Sequence, residues 1–180
     1  MIVIKSGAFG DYDDTSFTDA ELLYRRVPDK PSFLTQRDPI TGKRRPQPAA
    51  FSIRQEPDGL SIVIHGLVRA LRLKTKHLCN WETHGVARFA AGHVRPKLGV
   101  IAAADPNSPH LGQAHGLIRG PEGIPPASVW NPIRDEILAH VEFFESDPDP
   151  ATDTHSALDV ASGAIGMCWK LLGWLRRCIG

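Results

Sequence analysis

Prolines and glycines interrupt this chain so often that a bundle of long helices is closed to it. Fifteen prolines and sixteen glycines fall among 180 residues. Each proline removes a backbone donor and fixes φ, and each glycine lowers helix propensity, so loops and turns must be plentiful. The chain can still bury a core. Hydrophobic residues make up 42% of it and charged residues 23%, ordinary proportions that exclude collagen-like, coiled-coil and wholly disordered readings.

Between the breakers, the first half reads as strands. Leu22–Val27 reads as a strand closed by Pro28, and Asp38–Lys43 is a turn-rich loop extended by Pro46 and Pro48. Ala50–Arg54 and Leu60–His65 flank Glu56-Pro57-Asp58-Gly59, whose Asp-Gly predicts a hairpin. Thr83 is placed to cap a helix through Ala87, Phe89, Ala90 and Val94, and Val100–Ala104 and Ala114–Ile118 read as buried strands. In the second half, Asn131-Pro132 predicts a helix start, followed by Ile133, Ile137, Val141 and Phe144 at helical spacing. The expected fold is therefore α+β, a single mixed or antiparallel sheet over about residues 20–120 with C-terminal helices. Residues 1–145 would form the core domain, 146–155 a Pro/Asp-rich linker and 156–180 a C-terminal apolar helix. The sixteen residues Val160–Leu175 carry one charge, Lys170, but fall short of the roughly 20 that cross a bilayer. No transmembrane segment is expected, and the helix would pack on the core, hold a protein partner through residues 156–179, or lie on a membrane surface.

Net charge is only +1, so no global field imposes a nucleic-acid or membrane partner. Charge is nevertheless segregated. Residues 25–97 hold fifteen Lys/Arg against five Asp/Glu, whereas residues 135–159 hold eight acids and no Lys or Arg. Either the late acidic segment folds back on the basic middle, or the middle is an exposed anion-binding face. Arg69, Arg72, Lys74 and Lys76, with Lys43, Arg44 and Arg45, suit phosphate contact, but only Trp81 and Phe89 lie near them to stack bases. Three cysteines, Cys79, Cys168 and Cys178, leave at least one thiol unpaired, and the apolar run Ile2–Ile4 stops at Lys5, well short of a signal-peptide core; a cytoplasmic location is the expectation.

Phosphate-loop, dinucleotide-fingerprint, nucleophile-elbow and paired-cysteine motifs are all missing from the sequence. Asp11-Tyr12-Asp13-Asp14-Thr15 matches a bare Asp-x-Asp-x-Thr pattern, yet Gly7–Gly10 keeps it from following a strand directly, and a solvated acidic loop is expected. Three histidines share one local pattern: His65-Gly66-Leu67-Val68-Arg69, His84-Gly85-Val86-Ala87-Arg88 and His115-Gly116-Leu117-Ile118-Arg119. If functional, they would be strand-end histidines converging on one pocket, with His115 the foremost. His77, Cys79, His84 and His93, with Glu82 among them, are crowded, but His-x-Cys is an uncommon zinc spacing and no metal is expected.

Leu23-Tyr24-Arg25-Arg26-Val27, followed by Ala50-Phe51-Ser52 and Leu60-Ser61, resembles the opening of ADP-ribosyltransferase-like domains over about 40 of the 180 residues. The resemblance implies NAD as substrate, with Arg25 contacting its phosphates or ribose and Ser52 shaping the nicotinamide pocket. That group's late catalytic glutamate has no counterpart in a matching motif; Glu82 and Glu122 are the candidates, and a role for His115 would mark a divergent site. Two function classes follow. One is an enzyme or effector acting on a nucleotide-like anion, by NAD cleavage or ADP-ribosyl transfer, in a pocket with Arg25, Ser52 and His115. The other is a noncatalytic interaction module, an accessory or regulatory subunit using the basic middle and the C-terminal helix.

Overall fold

The structure, a computed structural model, describes residues 12–53, 59–95, 97–108 and 111–147. These belong to one compact unit, Met1–Asp147. The expected apolar helix, most of the expected linker and residues 54–58 of the expected hairpin lie outside the described residues.

The α+β expectation holds. Strands β1 (Leu22–Pro28), β2 (Leu60–Ile64), β3 (His84–Ala90), β4 (Gly99–Ala102), β5 (His115–Arg119) and β6 (Glu142–Phe144) form one six-stranded sheet, ordered β4-β5-β2-β1-β3-β6. Every neighbouring pair is antiparallel. The two edges are the short strands β4 and β6, four and three residues long, which limits the unpaired backbone offered to another chain.

Two helices cover opposite faces. Helix α2 (Ala127–His140) turns Trp130, Ile133 and Ile137 onto a cluster that includes Leu23, Val27, Phe51, Leu60, Ile62, Ile64, Phe89 and Ile118. There the Trp130 indole N–H donates to the Phe51 carbonyl at 2.9 Å, satisfying a buried polar group. Helix α1 (His65–Ala70) brings Val68 to the other face, where it joins Tyr24, Val63, Leu78, Val86, Leu111 and Ala114. Strand alternation thus divides β1, β2 and β3 between two cores. On β1, Leu23 and Val27 belong to the first and Tyr24 to the second.

Four local expectations are corrected. The described part of the expected Ala50–Arg54 arm, residues 50–53, is not a strand: Pro48–Phe51 is a 3-10 turn with a proline at its start. Strand β2 finds its partners in β1 and β5 instead. Residues 84–90 are strand β3 rather than helix, because Val86 packs on one face while Ala87 and Phe89 pack on the other. Helix α2 begins at Ala127, with Pro126 at the N-cap position and no side-chain cap bond, so Pro132 lies inside it and does not start it. The helix also ends at His140; Val141 is extended (ψ 135°), and Glu142–Phe144 pair with Val86–Arg88 as β6. Apart from these corrections, Asp147 accepts a 2.6 Å bond from the Thr75 hydroxyl.

Acidic segments do fold onto basic ones. Glu142 pairs with Arg88, and Glu145 accepts from both Arg37 and Arg44, while Arg44 also pairs with Asp29. The N-terminal acidic loop is likewise engaged. Asp13 accepts from Arg95 at 2.8 Å and from the Val100 amide at 3.0 Å, and Asp19 accepts from Arg95 at 3.1 Å.

Two predictions follow from this packing. A Cβ on Gly116 would stand 2.6 Å from Ile64 Cδ1 and 2.7 Å from the Ile101 carbonyl oxygen. Gly116→Ala should therefore cost about 1–3 kcal/mol, read as a lower urea midpoint at unchanged slope. The second concerns acid. The bond from Arg44 holds the Asp29 carboxyl below its usual value of 3.8. Burial pushes the Glu145 carboxyl up, but the bonds from Arg44 and Arg37 outweigh it and leave that group below the usual 4.5. Carboxyls lowered in the fold stabilise above their unfolded pKa, and that stabilisation fades as pH falls through the folded values. Urea midpoints should decline below about pH 4.5, and the deficit of Arg44→Gln against the parent should shrink between about pH 7 and about pH 3.

Candidate functional site

The polar group best organised for chemistry joins three adjacent strands. On β2, Ser61 has the parity of Val63, and on β5, His115 stands opposite Val63. Both side chains therefore leave the sheet on the α1 face. They meet there, with Ser61 Oγ 2.8 Å from His115 Nε2. The other ring nitrogen, Nδ1, lies 2.5 Å from the Ala103 carbonyl oxygen just beyond β4. A carbonyl only accepts, so Nδ1 carries the proton and Nε2 presents a lone pair to the serine hydroxyl. Both residues are half-buried. A cleft of about 450 Å3 is lined by Leu71, Leu73, Ala104, Asp105, Gly112 and Gln113 among others; neither Ser61 nor His115 is among its lining residues. Its walls continue directly from Ala103 and from the turn that leads into β5.

Arg25 is elsewhere. It pairs across the ladder with Ala87, a member of the α2-side core, so its side chain leaves the sheet on the face opposite to His115. Its guanidinium donates to the Ala50 carbonyl at 3.3 Å and to the Ser61 carbonyl at 2.8 Å. Registered pairing of β1 with β2 stops at Tyr24, and the arginine bridges the two strands just beyond that point. Ser52 follows the 3-10 turn, its amide donating to the Ala49 carbonyl, so Arg25 and Ser52 are near one another while His115 is not with them. The single pocket expected for Arg25, Ser52 and His115 is thus split by the sheet. Glu82 and Glu122 are both exposed.

The three His-Gly-x-x-Arg segments are not gathered at one point: the register sets His65 beside the His115 end of β5, whereas His84 lies apart. His65 opens α1 and its Nδ1 shares a 2.9 Å hydrogen bond with the Tyr24 hydroxyl. His84 opens β3 and pairs with the Thr83 hydroxyl. In the sheet order, β3 is three strand spacings from β5, about 14 Å. Each glycine has its own local cause. A Cβ on Gly66 would press on the Glu21 carboxylate at 3.1 Å, one on Gly85 on the Phe143 ring at 2.5 Å, and Gly116 is enclosed as described.

Arg26 lies on the α1 face, opposite Val86. Burial pushes the Cys79 thiol up to about 11, against the opposing pull of Arg26. Burial, then Arg26 and Lys30, push the His84 imidazole below its usual value. The raised Cys79 value leaves no ready thiolate for a metal at that corner. Of the crowded residues His77, Cys79, Glu82, His84 and His93, only His93 belongs to a metal-compatible cluster among the described residues, and its companions are Glu136 and His140. Ser61 is the site residue that sequence reasoning passed over. Its signal was a hydroxyl at an alternating position within Leu60–Ile64, beside residues that pack the opposite core.

A thiol held neutral reacts slowly. Iodoacetamide at about pH 8 should leave Cys79 largely unmodified in the native protein and label it readily in urea, read by peptide mass mapping; rapid native labelling would contradict this burial.

Comparison with known proteins gives no relative: no family model, no curated protein and no solved structure matches this chain.

Proposed function

We propose that the protein is an enzyme whose reacting pair is Ser61 and His115, acting on a small anionic ester. The observation that carries this reading is the hydrogen-bond chain from the Ser61 hydroxyl through His115 to the Ala103 carbonyl. A hydroxyl is a weak nucleophile until an adjacent base can take its proton, and the base works best when a third group fixes its tautomer. In this reading Ser61 Oγ bonds to the acyl carbon as its proton passes to Nε2. The leaving alkoxide takes that proton as its C–O bond breaks. Water then attacks the acyl-serine, delivers a proton to Nε2, and the regenerated Oγ recovers it as the carboxylate departs.

The preference for an anion is supported by Arg26, which the register places opposite Val86 on the same face as the pair. Arginine suits carboxylate and phosphate groups by its planar fork. In this reading the anion is met by Arg26 and not by Arg25, whose donors face backbone carbonyls.

The test is labelling by a fluorophosphonate probe beside hydrolysis of a p-nitrophenyl monoester of succinate. The parent protein should label on Ser61, Ser61→Ala should abolish both signals, and His115→Ala should slow hydrolysis by about 10²–10⁴-fold. Arg26→Ala should raise KM more than it lowers kcat. Folded parent protein that neither labels nor hydrolyses, or activity undiminished in Ser61→Ala, would overturn the proposal. Nicotinamide release from NAD, with its loss in Arg25→Ala, would instead favour the transferase-like reading.

A further inference from the structure

A second cluster of chemistry-bearing side chains lies where the 3-10 turn Ala91–His93 packs against α2. His93 comes from that turn; Glu136 and His140 lie one helical turn apart near the end of α2. Ala91 and Val94 on one side and Ile133 and Ile137 on the other are buried in the same core, so the backbones that carry the three groups are fixed relative to one another. Glu136 Oε1 is 3.4 Å from His93 Nδ1 and 3.2 Å from His140 Nδ1. The two imidazoles stack with centroids 4.6 Å apart and planes 14° apart. One donor atom from each of the three lies within 4.8 Å of the others.

We infer that His93, Glu136 and His140 form a binding site for a divalent transition ion of the zinc class. Tetrahedral zinc holds nitrogen and oxygen ligands at about 2.0–2.2 Å, which places neighbouring ligand atoms about 3.3–3.5 Å apart. The two carboxylate–imidazole separations are close to that spacing, and the two stacked rings would turn out of their stack to aim both lone pairs at one ion. Two imidazoles and one carboxylate are also the donor types that zinc, cobalt and nickel select, in contrast to the all-oxygen shells of calcium and magnesium. The carboxylate supplies one negative charge, and the C-terminal end of α2 adds the partial negative charge of its last carbonyls. His140 Nδ1 is also 3.0 Å from the Glu136 carbonyl oxygen, a bond that ligation through this nitrogen would replace. Exposure of about half of Glu136 and His140 leaves the fourth position to water.

Zinc titration by calorimetry of the full, untagged chain after chelator treatment tests this, together with the visible spectrum on cobalt addition. One ion per chain is expected, with a cobalt spectrum of nitrogen and oxygen ligation and a raised thermal midpoint in zinc. His93→Ala, His140→Ala and Glu136→Gln should each weaken zinc at least tenfold while retaining the parent circular-dichroism spectrum, and His77→Ala should bind as the parent does. Failure of the folded parent to bind zinc would overturn the inference. Parent-level binding in a folded double variant His93→Ala/His140→Ala would overturn it as well, as would an intense thiolate-to-cobalt band pointing to cysteine ligands. This outcome is independent of the Ser61 labelling result.

Discussion

Strand β2 is buried on both of its faces, with Leu60, Ile62 and Ile64 turned to one core and Val63 to the other. Because its neighbours β1 and β5 obey the same alternation, the sheet acts as a partition. A polar side chain at one register position works with partners on its own face and is screened from those one residue away. That partition brings Ser61, Val63 and His115 together and sends Arg25 to the far side, where its guanidinium supports backbone carbonyls. Residues neighbouring in sequence, such as Arg25 and Arg26, are therefore assigned to different work by a single step along the chain.

Charge has a different part in the architecture. The acidic segments at either end of the described chain are brought onto arginines of the middle: Asp13 and Asp19 onto Arg95, Glu142 onto Arg88, Glu145 onto Arg44 and Arg37. Exposed pairs of this kind add little stability one by one. Arg95 is largely shielded, however, and it also donates to the Phe17 and Asp14 carbonyls, so it fixes the path of a loop that has no regular secondary structure of its own. A segregated charge pattern with a small net value is accounted for here by contacts between segments far apart in sequence.

Strands with a clean apolar signal were legible in the sequence: β1, β2, β4 and β5 fall close to the runs that predict them. What was illegible depended on tertiary partners. Residues 84–90 carry apolar side chains at spacings that suit a helix as well as a strand, and only the presence of two cores decides between them. Val141 and Phe144 continue a helical period in sequence, yet pairing with β3 draws them into β6. His115 was legible as a candidate from its place at the head of an apolar run. Its partner was not, since nothing local links Ser61 to a histidine 54 residues away. The His93–Glu136–His140 cluster was half visible, because Glu136 and His140 have the helical i, i+4 spacing while His93 arrives from another element.

The Ser61–His115–Ala103 chain also reports on how the strands are assembled. Its members come from β2, β5 and the exit of β4, and each reaches the others only in the observed alignment, Val63 opposite His115 and Ala102 opposite Gly116. A slip of one residue in β5 would rotate the imidazole into the α2-side core and put Gly116 in its place. The ladder β2-β1-β3-β6 could then be formed with the hydrogen-bond chain absent. Completion of that chain is thus a property of the finished topology, acquired only when segments distant in sequence have settled into their final alignment.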